Sequence, residues 1–215
     1  MVLSCASPNS ALTAGNCPEY NQPDKENPVQ IDKLIQAVSY LLKKYGYSLN
    51  YTKLIKELYL ADRESILRSG WSISGDSYKN LPYGPVLVNL YALIKGNHHD
   101  LRIQSKWDSC FLTDAKTLRA KTQVIPDGEL SAFEKSIIDE VDNKYHSFSY
   151  SKMIDVVHDS NICPEWKDPH GSSSVLSKSD IMTALGFDEA TIKHFEQEEE
   201  TYSYENQLLS RLEEI

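Results

Sequence analysis

The sequence has no paired-cysteine motif. Its four cysteines, Cys5, Cys17, Cys110 and Cys163, are scattered. A disulfide framework is not indicated, and a reducing cytoplasm is the expected compartment. No run approaches the roughly 20 apolar residues that a membrane helix needs. The first residues lack a basic stretch followed by an apolar core, so no secretory signal is expected. Leu3-Ser4-Cys5 has the form of a lipoprotein cleavage site, but no apolar segment precedes it. There is no GxSxG, no glycine-rich phosphate loop and no internal repeat. Basic residues are outnumbered, 22 Lys and Arg against 31 Asp and Glu, giving a formal charge of −9. Such a surface repels phosphate, which disfavours nucleic acid as a main partner and suits a basic protein. Phenylalanine is scarce, five residues against 13 tyrosines. Tyrosine carries an apolar body with a polar tip, which fits half-wet surfaces and interfaces.

At 215 residues, 40% of them apolar, the chain is long enough to bury a sizeable core. Residues 1–28 are rich in Ser, Asn and Pro without periodicity and are expected to be a disordered tail. From Ile31, apolar residues Leu34, Ile35, Val38, Leu41, Leu42 and Tyr45 recur at helical spacing, and Gly46 closes the helix.

The organising stretch is 51–96. Thr52 is a candidate cap for a helix carrying Leu54, Ile55, Leu58, Tyr59 and Ile66, stopped at Gly70. Trp71-Ser72-Ile73 alternates as a half-buried strand, and Gly75-Asp76 marks a turn. In Tyr83-Gly84-Pro85, Pro85 suits the first turn of a second helix. That helix would carry Val86, Leu87, Leu90, Tyr91 and Ile94 inward and end at Gly96.

Leu101, Ile103, Trp107, Phe111 and Leu112 suggest short strands, as do residues 122–125, with a small sheet that pairs with 71–73. Pro126-Asp127-Gly128 is a turn. Ser131 and Glu134 form a capping box for a helix with Phe133, Ile137, Ile138, Val141 and Tyr145. Ser149 caps a helix with Met153, Ile154 and Val157. Ser177 or Ser179 caps another, and Asp188 a last one with Ile192 and Phe195. An acidic run, 196–200, follows, and Leu208, Leu209, Leu212 and Ile215 give a short closing stripe. The expected class is mainly α, a compact single helical domain of six to eight helices with a small β hairpin or sheet.

His158, Cys163 and His170 are the nearest thing to a metal set, but they lack the tight ligand pair of a zinc site, and His98-His99 sits in a polar loop. Cys163 has His158 near in sequence but no third group to orient it. Glu57, Asp62 and Glu64 can be read as paired carboxylates, but Asp62 has no carboxylate partner at helical spacing, and Glu57 follows Lys53 by four as a surface ion pair. Asp62 is instead expected to accept hydrogen bonds from a backbone turn in the 72–83 loop. Gly75 and Gly84 serve turns, with Asp76 and Tyr78 fixing the loop. The helix start at Tyr83-Gly84-Pro85 could receive an acidic group from a partner. No catalytic residue, metal or cofactor is expected.

Taken in order, Tyr59, Ala61, Asp62, Ile73, Gly75, Asp76, Tyr78, Tyr83, Gly84, Pro85, Val86, Leu90, Tyr91 and Gly96 carry a motif set, extended by Val157, His158 and Trp166. In residue type and spacing this set resembles the SocA-like antitoxin, or Panacea, domain, over about residues 30–196. The resemblance implies a non-enzymatic protein that binds a cognate toxin, often encoded next to it, and neutralises it by direct contact. One branch implies a proteolytic adaptor delivering the toxin to a ClpXP-type cytosolic protease. Relatives with an added DNA-binding helix-turn-helix have no clear counterpart here. The resemblance makes Tyr59, Asp62, Trp71, Gly75, Asp76, Tyr78, Tyr83, Gly84, Pro85 and Trp166 the partner-binding or motif residues. Residues 197–215 then form an acidic helical extension. The competing readings are a phage or mobile-element accessory protein that binds a host target, and, behind it, a metal-assisted hydrolase.

Overall fold

The computed structural model describes residues 30–123 and 128–213. The expected tail, 1–28, lies outside them. In chain order the elements are α1 (Ile31–Lys44), β1 (Ser48–Asn50), α2 (Tyr51–Ser69), β2 (Tyr78–Leu81), β3 (Gly84–Leu87), α3 (Val88–Lys95) and α4 (Leu101–Cys110). They continue with β4 (Phe111–Asp114), β5 (Thr117–Ala120), α5 (Ala132–Tyr145), α6 (Tyr150–His158), β6 (Ser174–Leu176), α7 (Lys178–Ala184) and α8 (Glu189–Glu213). Two three-stranded antiparallel sheets, ordered β1-β5-β4 and β3-β2-β6, accompany eight helices among the described residues. The fold is helix-dominated α+β, as the sequence implied.

Helix α2 is the hub. It packs against α1, α3, α5, α6, α7, β1 and β3. Most of its length is buried, on more than one face, and the buried set includes Lys53, Lys56, Glu57, Asp62 and Ser65 beside its apolar residues. A helix enclosed this way must find internal partners for its polar groups, since an unpaired buried one costs about 1–3 kcal/mol. Its start is capped by Asn50, not Thr52. The Asn50 side chain accepts the N–H of Thr52 at 2.9 Å and of Lys53 at 3.3 Å. Its end is the left-handed Gly70, where a Cβ would collide with the Phe195 ring. Ser131, Ser149 and Ser177 cap α5, α6 and α7, and Asp188 bonds the N–H of Thr191 in the first turn of α8 at 2.8 Å.

Several expectations are corrected. Residues 71–73 are not a strand. The N–H groups of Ile73 and Ser74 are taken by the Asp62 carboxylate and are not free for a ladder. The sheet expected to pair with them instead recruits Ser48–Asn50, with Leu49 opposite Leu118. Pro85 is not a helix start but a residue of β3, an edge strand, where a missing N–H is tolerated. Val86 and Leu87 belong to that strand, and α3 starts at Val88.

Leu101, Ile103 and Trp107 form no strand. Asp100 accepts the N–H of Arg102 at 2.8 Å and so opens α4, which buries Gln104 and Trp107 three apart. Phe111 and Leu112 are strand, as expected. Thr122 and Gln123 are outside any strand, and 124–125 lie beyond the described residues, as do Pro126 and Asp127 of the expected turn. Lys53 and Glu57 are not a surface pair. Both are buried, 3.5 Å apart.

Candidate functional site

The motif residues converge on one region, where α2 meets the β2–β3 hairpin, α3, α6 and the 159–169 loop. Asp62 lies at its centre, buried beside α2's last turns. Its Oδ1 accepts the N–H of Ile73 and of Ser74, each at 2.9 Å. Its Oδ2 accepts the Ser74 hydroxyl and, at 3.0 Å, the Tyr78 hydroxyl. Burial pushes the carboxyl up to about 6, against the pull of these bonds. The expected role of Asp62, anchoring a backbone turn, is what the geometry places there.

Asp76 does the same one turn of chain later. Its Oδ1 accepts the N–H of Asn89 at 2.9 Å and the Asn89 side-chain amide at 3.0 Å, and Oδ2 accepts the N–H of Leu90 at 2.9 Å. Helix α3 has no side-chain cap of its own at Leu87. Asp76 supplies it from outside, satisfying orphan donors and the positive end of the helix dipole together. The helix start considered open to a partner's acidic group lies at Val88 and not at Pro85, and the acid that fills it is the chain's own. Burial raises the Asp76 carboxyl to about 6 as well, with the Asp62 charge contributing.

Between Asp76 and the Asn89 and Leu90 amides it holds runs the hairpin. Leu81 pairs with Gly84 across Pro82-Tyr83. Proline's fixed negative φ excludes the usual primed two-residue turns. The positive φ falls instead on Gly84, at +95°. Any Cβ at Gly84 would also collide with Val157 on α6 and crowd Lys56 on α2. The glycine lets the hairpin sit flat on both helices. Pro85 then offers its carbonyl to the Lys56 ammonium at 2.6 Å. Tyr83, at the tip, is 70% exposed.

A second polar cluster lies beside the first. The Tyr59 hydroxyl and Arg63 Nε both donate to Glu165 Oε1, at 2.6 and 2.8 Å. The ring of Tyr59 also meets Tyr78 edge-on at 5.8 Å. Trp166 stacks on His158 at 3.8 Å and donates its indole N–H to the Leu81 carbonyl at 3.3 Å, tying the 159–169 loop to the hairpin. Lys56 is buried, and burial lowers its ammonium to about 7. Burial likewise pushes the Cys163 thiol up to about 12. Glu165 Oε2 and His158 Nε2 are buried with no hydrogen-bond partner among the described residues.

Sequence reading named Tyr59, Asp62, Gly75, Asp76, Tyr78, Gly84, Pro85 and Trp166, and all lie in this region. It missed Lys56, Arg63 and Glu165. Lys56 had a weak signal, a charge one turn before Tyr59 and Leu60 on a helix rich in apolar residues; Glu165 had none. Trp71 lies apart from the hairpin, half-buried under α8, edge-on to Phe195 and Tyr202 and beneath the Lys178 ammonium at 4.9 Å. Gly75 is exposed in its turn at φ +63°. Of the metal candidates, Cys163 is buried while His170 is exposed, and His98 is buried against Asn89, its Nε2 3.1 Å from the Asn89 side-chain oxygen. No group of three His, Cys, Asp or Glu is placed to hold a metal among the described residues. No described helix is long and apolar enough to cross a membrane.

These features define a helix-dominated domain whose motif residues pin a short hairpin onto one enclosed helix. Comparison with protein-family models matches the antitoxin SocA-like family, Panacea domain, over residues 54–167, just over half of the chain. The chain belongs to this family. The matched stretch runs from the second turn of α2 to the residue after Trp166, so it encloses the whole pinned region. No curated protein and no solved structure matches.

Proposed function

We propose that this protein is an antitoxin that neutralises a cognate toxin by direct protein–protein binding in the cytoplasm, without chemistry of its own. The match across residues 54–167 carries the reading. The geometry supports it. The motif's carboxylates are occupied by backbone and hydroxyl donors inside the domain. Cys163 is buried with its thiol held protonated, a poor nucleophile. What the motif offers to the outside is a rigid display, with Tyr83 at its apex. A large aromatic on a preorganised turn loses little entropy on binding.

Co-expression with the product of the adjacent small open reading frame tests this. Rescue of growth arrest with copurification of the two proteins is the expected result. Rescue without a complex would sink the binding reading. The narrower adaptor reading predicts that the partner's cellular half-life also falls when this chain is present and recovers in a strain lacking the protease.

A further inference from the structure

Helix α8 begins on the domain and outruns it. Its 25 residues span about 37 Å. The first half is anchored. Ile192 is buried, Phe195 stands edge-on to Phe187 and Trp71, and Glu199 pairs with Lys178 at 2.6 Å. Tyr202 makes the last aromatic contact, edge-on to Trp71 at 6.2 Å. Past it, Tyr204, Leu208 and Leu209 are 63%, 41% and 58% exposed. Tyr204 and Leu208 are four apart and share a face that Leu209 adjoins. Three large apolar side chains within six residues differ from the singly scattered exposed apolar residues that ordinary surfaces carry.

Charge decides what can cover them. Residues 196–214 hold seven glutamates and a single basic residue, Arg211. Glu198, Glu200 and Glu205 are exposed along the same stretch. A second copy would bring two such helices together and set like charges against each other. An anionic bilayer repels the same face. A basic protein surface with an apolar floor satisfies both features at once.

We propose that the C-terminal half of α8 is a docking arm that seats Tyr204, Leu208 and Leu209 in an apolar groove rimmed by Lys and Arg on a partner protein. This rests on the binding function proposed above and places part of the interface outside the family-matched residues 54–167.

The test uses the full chain and two fluorescent synthetic helical peptides of equal length, one built from Leu and Lys, the other from Leu and Glu. Two variants accompany the wild type, L208N/L209N, which keeps the charge, and E198Q/E200Q/E205Q, which keeps the apolar face. The Leu/Lys peptide binds wild type, and each variant weakens it about tenfold with unchanged thermal unfolding. The acid-to-amide variant also flattens the salt dependence. The Leu/Glu peptide does not bind. Equal affinity for the Leu/Lys peptide in wild type and L208N/L209N overturns the proposal. So does a wild-type dimer in sedimentation that L208N/L209N dissolves, since the occupant is then a second copy. In the growth-rescue assay both variants lose neutralisation. If wild type rescues and the variants rescue equally, the arm is wrong and the antitoxin reading stands. If wild type itself fails, the antitoxin reading falls and the peptide result alone judges the arm.

Discussion

The carboxylate of Asp76 accepts the backbone N–H of Leu90 at 2.9 Å, across 14 residues of chain that include a complete β hairpin. The same carboxylate holds the N–H of Asn89. One side chain therefore closes the loop after α2, orients the hairpin and caps α3. Asp62 plays the matching part for the preceding turn through Ile73 and Ser74. The motif is a pair of buried carboxylates, each serving as the counter-group for backbone that has no ladder or helix partner.

Removal of the Asp62 side chain strands two backbone N–H groups and the Tyr78 hydroxyl in the core. Asp62→Ala is expected to cost on the order of 3–5 kcal/mol, and Asp62→Asn less, because one oxygen acceptor survives. Urea denaturation measures both. A loss below about 1 kcal/mol for the alanine variant would show that water replaces the carboxylate.

Asp76→Ala should cost about 2 kcal/mol and act locally. Amide hydrogen exchange is expected to show lost protection in the first turn of α3, at Asn89 and Leu90, with α5 unchanged. Wild-type protection there would rule out the capping role.

Lys56 supplies the pH prediction. Its ammonium falls from 10.5 to about 7 on folding, through burial. Between those values the unfolded chain holds the proton and the folded chain does not, so this group's contribution to stability rises as pH rises from 7 to 10.5. Below pH 7 the folded chain carries the full cost of a buried charge. Across the window the change is on the order of 4 kcal/mol. Lys56→Met removes it. The stability difference between wild type and variant should therefore move in favour of wild type from pH 7 to 10, read from denaturation curves at each pH. A difference that stays flat over that range contradicts the assignment.

Gly84→Ala meets three obstacles, the positive φ, a clash with Val157 and tighter contact with Lys56. A cost of about 2–4 kcal/mol is expected. In a Val157→Ala background the worst clash is relieved, and the residual cost, backbone plus Lys56 contact, falls to about 1–2 kcal/mol. A double-mutant cycle gives the coupling directly. Additive costs would show that Val157 carries none of the penalty.

Tyr83→Asp separates display from support. With Tyr83 70% exposed, stability should shift by no more than about 0.5 kcal/mol. Toxin neutralisation in the co-expression assay should drop. Full rescue by this variant would move the contact surface away from the hairpin.

The apolar periodicities of α1, α5 and α6 were legible because each helix buries one stripe and shows water the other. Serine caps at 131 and 149 were legible for a similarly local reason, a side chain reaching its own helix's amides, while that of α7 was narrowed to Ser177 or Ser179 and falls to Ser177. The failures share a cause. Residues 71–73 alternate like a strand, but the Ile73 donor is claimed by Asp62, eleven residues away, and the Trp71 donor by Ser69. Leu101, Ile103 and Trp107 alternate loosely, and only the Asp100 cap and the burial of Gln104 with Trp107 make them helical. Lys53 and Glu57 looked solvated because nothing local tells that α5 and the Tyr45 side chain enclose them, with Tyr45 donating to Glu57 at 2.8 Å.

Of the candidate site, Asp62, Asp76, Tyr78 and Gly84 could be named from residue type and order alone. The long-range pairings beside them could not. Glu165 reaches Tyr59 across 106 positions, and Lys56 reaches Pro85 across 29. The amino-acid order by itself determined the helical class, the serine-capped starts of α5 and α6 and the family, because propensity, capping and motif spacing act within a few residues. Only the tertiary structure decided that α2 is enclosed and that its charges lie inside. It alone showed that Asp76 caps α3 from outside the helix. Burial and desolvation are properties of what surrounds a residue, and for these residues the surroundings come from distant parts of the chain.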